Sequence, residues 1–162
     1  MFNKAILVIF LLPEFSDNNG EDVDAFEILS ASQVLISTTG NPAVGVAGDA
    51  DEDLLLCTGT FGAATTCTWS LYFDASDIGL GGFGNGDIEG AAVDGADLYF
   101  TTIGTNGLGG DGSDVMTCAG HATSPGGNAG VTSSCSNTFP ATPFFDGSVE
   151  GVTDRLDAID RP

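Results

Sequence analysis

The chain has almost no positive charge. Three Lys and Arg residues stand against 23 Asp and Glu in 162 residues, which gives a net charge of −20 at pH 7. Nucleic acids and anionic membrane surfaces are therefore excluded as partners, because proteins bind both through a basic face. A single histidine and the lack of any C-x-x-C pattern argue against a zinc site. Metal ions and basic polymers remain as positively charged partners, and salt-rich water remains as an environment that suits so acidic a chain.

Residues that favour helices are scarce as well. Most of the acids are Asp rather than Glu, and the chain contains 24 glycines. Asp and Gly favour turns over helices, and short apolar runs between such turns are typical of antiparallel strands. A hydrophobic content of 42% is enough to bury a core. The composition therefore predicts an all-β protein.

Signatures of catalysis are missing. No G-x-S-x-G pattern accompanies His121, which lies in the loop sequence CAGHATSPGG and is expected to be a solvated loop residue. Close Asp pairs could serve glycoside hydrolysis, but Trp69 is the only tryptophan available as a sugar platform. We therefore expect no enzymatic activity and keep a secreted hydrolase as the third hypothesis.

Two sections of the chain repeat one another. Three segments of the first section, GEDVDAFEI, VLISTTG and DEDLLLC, match NGDIEGAAV, LYFTTIG and GSDVMTC in the second. A third unit begins where LYFDASDIG recurs as PFFDGSVEG, followed by TDRLDAI. Each unit offers strands for a four-stranded propeller blade, and a sandwich could use the same strands. The predicted divisions are an N-terminal segment 1–13, repeats 14–70 and 71–142, and a partial repeat 143–162.

The four cysteines form two local pairs. Cys57 with Cys67, and Cys118 with Cys135, each bracket a segment rich in Thr, Gly or Ser. Such segments suit disulfides that close hairpins, so we expect the bonds Cys57–Cys67 and Cys118–Cys135 among the possible pairings. Disulfides persist in oxidising compartments, which predicts a secreted, extracellular protein.

An apolar run, Ala5–Leu12, lies near the start of the sequence. It resembles the hydrophobic region of a signal peptide and is too short for a transmembrane helix. Because it lies between Asn3 and Pro13, it is equally typical of a strand buried on both faces. As a strand, it is expected to pair with the open sheet edge of a neighbouring subunit. The side chains expected in that joint are those of Ile6, Leu7, Val8, Ile9, Phe10, Leu11 and Leu12.

Close pairs of carboxylates recur with the repeat. Alternate strand residues point the same way, and calcium takes oxygen ligands from carboxylates, carbonyls and water. The sequence therefore predicts calcium binding, with magnesium a poor substitute. Turn-capping Asp residues and a halophilic surface are the alternatives. The predicted ligands are Asp22, Asp24, Asp49, Asp51, Asp53, Asp87, Glu89, Asp111 and Asp114.

The repeat units resemble a family of secreted bacterial tandem-repeat proteins with the patterns Y-F-D-x-S-D-x-G-L, E-D-[IV]-D-A, L-L-x-S-T-x-G and D-E-D-[LIV]. The matching stretches here are LYFDASDIGL, GEDVDAFEI, VLISTTG and DADEDLLLC, while DIEGAAV departs by Glu for Asp and Gly for Ala. The resemblance implies secretion and tandem repeats. It implies no activity, because the family has none that is settled.

The leading hypothesis is a structural subunit of an extracellular filament. Calcium and disulfides would stabilise each subunit, and subunits would join head to tail by strand exchange. The second hypothesis is a calcium-dependent binding or adhesion module of a longer repeat protein.

Overall fold

Three antiparallel sheets make up the described part of the chain. The structure is a computed structural model, and it describes residues 22–42, 44–46, 50–62, 64–81, 85–125 and 131–159. The sheets have four, three and two strands, and the only helical segments among these residues are two four-residue turns. The prediction of an all-β protein with antiparallel sheets is confirmed. No helix in these ranges is long and apolar enough to span a membrane.

The first sheet is a four-stranded meander. Its strands occur in chain order as β1 (Val23–Ser30), β2 (Gln33–Thr38), β3 (Leu54–Thr60) and β4 (Thr66–Phe73). Consecutive strands pair with each other, and the β1–β2 and β3–β4 connections are short, as expected of antiparallel hairpins, whereas a longer segment joins β2 to β3. This is the arrangement of a propeller blade. The predicted boundary between residues 70 and 71 falls inside β4.

The second sheet repeats the arrangement of the first with three strands instead of four. It contains β5 (Ile88–Asp94), β6 (Asp97–Thr102) and β7 (Met116–Cys118). Val115, just before β7, also bridges Phe145 in the antiparallel sense. A separate hairpin of β8 (Ala122–Pro125) and β9 (Val131–Ser134) follows.

The two sheets share one register, so residues can be matched as counterparts. Val23 pairs with Thr38 in the first sheet as Ile88 pairs with Thr102 in the second. Both first strands have a register irregularity directly after that pair. The 3₁₀ turn Ala75–Ile78 likewise has a counterpart in the helical turn α1 (Gly147–Glu150), and each ends at a left-handed glycine.

The sheets pack face to face through one hydrophobic core. Residues of both contribute fully buried side chains, as two stacked sheets require. A smaller cluster of Val34, Ile36, Leu55 and Leu71 covers the other face of the first sheet. The shared core consists of Ala25, Leu54, Phe73, Ala75, Leu80, Ile88, Ala91, Leu98, Phe100, Leu108, Met116 and Cys118.

Both predicted disulfides are confirmed. Cys57 bonds Cys67 across the β3–β4 hairpin, and Cys118 at the end of β7 bonds Cys135. No cysteine in the described ranges is free. Two structural disulfides indicate an oxidising compartment.

Candidate functional site

Carboxylates from both repeats gather where β1 and β5 pack against each other. Asp22 and Asp24 come from the start of β1, and Asp87 and Glu89 are their counterparts at the start of β5. Asp51, in the turn before β3, joins them electrostatically. The sequence assigned these residues to separate clusters in each repeat, and the stacking of the sheets brings them together. We call this group the junction cluster.

Mutual repulsion and burial raise the proton affinity of the junction cluster. Burial first, and then the charges of Glu89 and Asp22, raise the pKa of Asp24 to about 6, although Arg155 lowers it. Burial first, and then the charges of Asp24 and Asp51, raise the pKa of Asp87 to about 7. Carboxylates in this state favour either protons or a bound cation.

Glu52 belongs to the same group, although the sequence did not predict it as a ligand. Burial of its side chain and a hydrogen bond to Asp51 both raise the pKa of Glu52. The charge of Glu52 in turn raises the pKa of Asp87. Its position between Asp51 and Asp53 was the signal that could have identified it. Strand alternation, however, predicts that its side chain points away from those two carboxylates.

Two oxygens of the junction cluster are buried without hydrogen-bond partners in the described structure: Asp87 Oδ1 and Glu89 Oε2. A buried oxygen without a hydrogen-bond partner lowers the stability of the folded state. Each of these two oxygens therefore marks a position where a bound proton, cation or water molecule would be stabilising. Within the described ranges, however, no three His, Cys, Asp or Glu side chains converge in an arrangement that would hold a metal ion. Asp49 lies outside the described residues, as does the segment Ala5–Leu12.

A cationic side chain already contacts the junction cluster. The Arg155 guanidinium contacts Glu89 Oε1 at 2.8 Å, with the arginine side chain 55% exposed and the glutamate side chain 10% exposed. Burial raises the pKa of Glu89, and Arg155 lowers it. In the repeat, Arg155 occupies the position of Asp22 and Asp87, so the alignment of TDRLDAI with GEDVDAF was the signal that could have found it.

Asp53 and Asp114 bind backbone rather than joining the junction cluster. Asp53 accepts hydrogen bonds from Ala50 N at 3.0 Å and Ala75 N at 2.9 Å. Its counterpart Asp114 accepts from Asp111 N at 2.9 Å and Gly147 N at 3.0 Å. Each buried carboxylate thus ties the loop before its strand, β3 or β7, to a helical turn further along the chain. Burial raises the pKa of Asp53 to about 8, although the two N–H donors lower it.

Asp111 is also occupied by its own loop. Its Oδ1 accepts hydrogen bonds from both the backbone N and the Oγ of Ser113, each at 2.8 Å. Asp111 and Asp114, which the sequence paired as ligands, are therefore engaged with different donors. The turn-capping alternative describes the contacts of this pair.

His121 differs from its expected environment. It is half-buried, its Nε2 lies 2.8 Å from the Tyr72 hydroxyl, and its Nδ1 lies 2.8 Å from the carbonyl oxygen of Ala96. The expectation of a solvated loop histidine was wrong, because the loop folds back onto β4 of the first sheet. The residue joins the two sheets and has no serine partner among its described contacts.

Comparison of the chain with protein-family models, with curated proteins and with solved structures gives no match. The resemblance to secreted tandem-repeat proteins therefore stays a prediction from the motifs.

Proposed function

We propose that this chain is a structural subunit of an extracellular assembly, in which stacked β repeats continue from one copy to the next. One observation carries the proposal: two repeats stack through a shared core, and their acidic first strands meet at the junction. A stacked repeat leaves equivalent faces at its two ends, and such head-to-tail contacts propagate. The two disulfides support secretion, because disulfides persist in oxidising compartments.

A divalent cation is proposed to bind the junction cluster and to link the carboxylates of the two repeats. Calcium is the proposed ion because it prefers oxygen ligands. Asp24 and Asp87 repel each other across the junction, and a cation removes that repulsion. Backbone carbonyls and water can complete the shell of calcium, so few carboxylates are needed. Glu89 already forms an ion pair with Arg155, which supports the proposal that its surroundings favour a cation.

Thermal unfolding in EDTA, calcium, magnesium and sodium chloride tests the cation. We expect calcium to raise the melting temperature by several degrees and magnesium to do so less, because an ion that binds only the folded state stabilises by mass action. The double variant Asp24→Asn/Asp87→Asn should respond weakly, while the control Asp146→Asn should respond like the parent. Equal stabilisation by sodium chloride at matched ionic strength would indicate a halophilic surface instead.

The adhesion module is the second candidate. Exposed apolar side chains on β1, Phe26 and Ile28, favour it as much as they favour self-assembly. A catalytic role has no support from the described contacts of His121, so we propose a non-enzymatic protein. Sedimentation velocity over a range of concentrations separates the two candidates: a mass that grows with concentration supports assembly, and a constant monomer supports the module.

A further inference from the structure

The start of the third unit packs on the second sheet much as the second sheet packs on the first. The segment 155–159 lies against β5, where the backbone of Ala158 is beside Gly90. Leu156 N donates a hydrogen bond to Gly112 O at 2.8 Å, which ties the segment to the loop before β7. The chain therefore contains a second junction, which the repeat relates to the junction cluster.

The two junctions use the same six positions of the repeat. Two come from the first strand of the earlier repeat, two from the loop before its third strand, and two from the start of the next repeat. The strand β5 belongs to both junctions. In the junction cluster the six positions hold Asp22, Asp24, Asp51, Glu52, Asp87 and Glu89. In the second junction they hold Asp87, Glu89, Gly112, Ser113, Arg155 and Asp157.

The two junctions differ in charge. All six positions of the junction cluster are acidic. In the second junction three positions are acidic, the two loop positions are neutral, and Arg155 adds a positive charge. The formal charge of the six positions is therefore −6 in the junction cluster and −2 in the second junction. Much less negative charge is left to be neutralised at the second junction.

Arg155 contacts the counterpart of a carboxylate in the junction cluster. Its guanidinium lies 2.8 Å from Glu89 Oε1, and Glu89 is the counterpart of Asp24. Asp87 is the counterpart of Arg155, and the charge of Asp24 raises the pKa of Asp87. The same two positions thus hold an attracting pair in the second junction and a repelling pair in the junction cluster.

Glu89 takes part in both junctions. The residue is only 8% exposed. Its Oε1 is occupied by Arg155, whereas its Oε2 is buried without a hydrogen-bond partner among the described residues, as is Asp87 Oδ1. Because the six positions of the junction cluster include no basic residue, these two oxygens have no guanidinium of their own there.

We propose that the residue at the position shared by Asp87 and Arg155 decides whether a junction needs a metal ion, and that the guanidinium of Arg155 replaces the ion at the second junction. This inference rests on the proposed cation of the junction cluster. An arginine can take the place of an ion because it stays charged and binds carboxylates through fixed N–H donors. The neutral residues Gly112 and Ser113 fit this role, since one arginine could not compensate two further carboxylates.

Exchanging the residue types at the two positions tests the inference by thermal unfolding. Asp87→Arg gives the junction cluster its own guanidinium, so the melting temperature in EDTA should rise by several degrees and the response to calcium should be lost. Asp87→Asn removes repulsion without adding a positive charge, so its melting temperature in EDTA should lie between those of the parent and Asp87→Arg. Glu150→Arg makes the same charge reversal at an exposed residue and should respond to calcium like the parent.

The reverse change covers the case in which Asp87→Arg fails to fold. Arg155→Asp restores the residue type of the other repeats and places a carboxylate beside Glu89. Its melting temperature in EDTA should fall by several degrees, and calcium should raise it by more than it raises that of the parent. Arg155→Lys keeps the positive charge and should stay close to the parent in both conditions.

The outcomes separate this inference from the cation on which it rests. If calcium stabilises the parent and stabilises Asp87→Arg and Arg155→Asp by the same amount, the inference is wrong and the proposed cation stands. If Asp87→Arg is no more stable in EDTA than Asp87→Asn, relief of repulsion explains the effect and the inference is overturned. If calcium does not stabilise the parent, the cation and its replacement by Arg155 both fall. If Asp87→Arg does not fold, a parent-like calcium response of Arg155→Asp overturns the inference, and a larger response supports it.

Discussion

Asp53→Ala and Asp114→Ala are each expected to lower the free energy of unfolding by about 2–6 kcal/mol. Each substitution leaves one buried and one half-buried backbone N–H group without an acceptor, at a cost of about 1–3 kcal/mol per group. Both carboxylates are nearly inaccessible, and both join a loop to a helical turn. Because the two residues are counterparts, their effects should be similar in size, which chemical denaturation with matched m-values can measure.

Asp146→Ala is the control for these variants. Asp146 caps the turn α1 by accepting a hydrogen bond from Val149 N at 3.1 Å, but it is exposed to solvent at the site. Its removal should cost only about 1 kcal/mol, as for an ordinary helix N-cap. If Asp53→Ala and Asp114→Ala cost no more than this control, the buried carboxylates do not hold the repeats together.

In the absence of divalent cations the protein should lose stability as the pH rises from about 4 to about 8. Burial raises the pKa of Asp24 to about 6, of Asp87 to about 7 and of Asp53 to about 8. In this window the folded chain therefore holds protons that the unfolded chain has released. By linkage, stability then falls with increasing pH and levels off above the folded-state pKa values.

Melting temperatures in EDTA at constant ionic strength measure this slope. We expect the Asp87→Asn variant to show a shallower fall, because an amide does not titrate. A parent melting temperature that rises between pH 5 and pH 8 in EDTA would contradict the account of the junction cluster. Calcium should counteract the fall at pH 8, where the carboxylates are free to bind it, and should have little effect at pH 5.

Local signals predicted much of the fold. The repeated segments VLISTTG and LYFTTIG coincide with β2 and β6, and the short cysteine spacings favoured the observed pairing. The recurrence of motifs also predicted the internal repeat, because the same short segments form the strands of both sheets. These features depend on residues near one another in sequence.

The junction cluster could not be predicted from the same signals. Asp24 and Asp87 meet because two sheets stack, and nothing local to either D-x-D or D-x-E pair specifies its distant neighbour. The roles of Asp53 and Asp114 were hidden for a similar reason, since their N–H donors come from Ala75 and Gly147, in turns far along the chain. His121 meets Tyr72 through the same kind of long-range contact.

Electron microscopy of the purified chain in calcium, over a range of concentrations, tests the central claim most directly. The account predicts linear particles whose length increases with concentration and that dissolve into single subunits in EDTA. Discrete particles of one size at every concentration, with and without calcium, would contradict the claim that this chain is the subunit of an extracellular assembly.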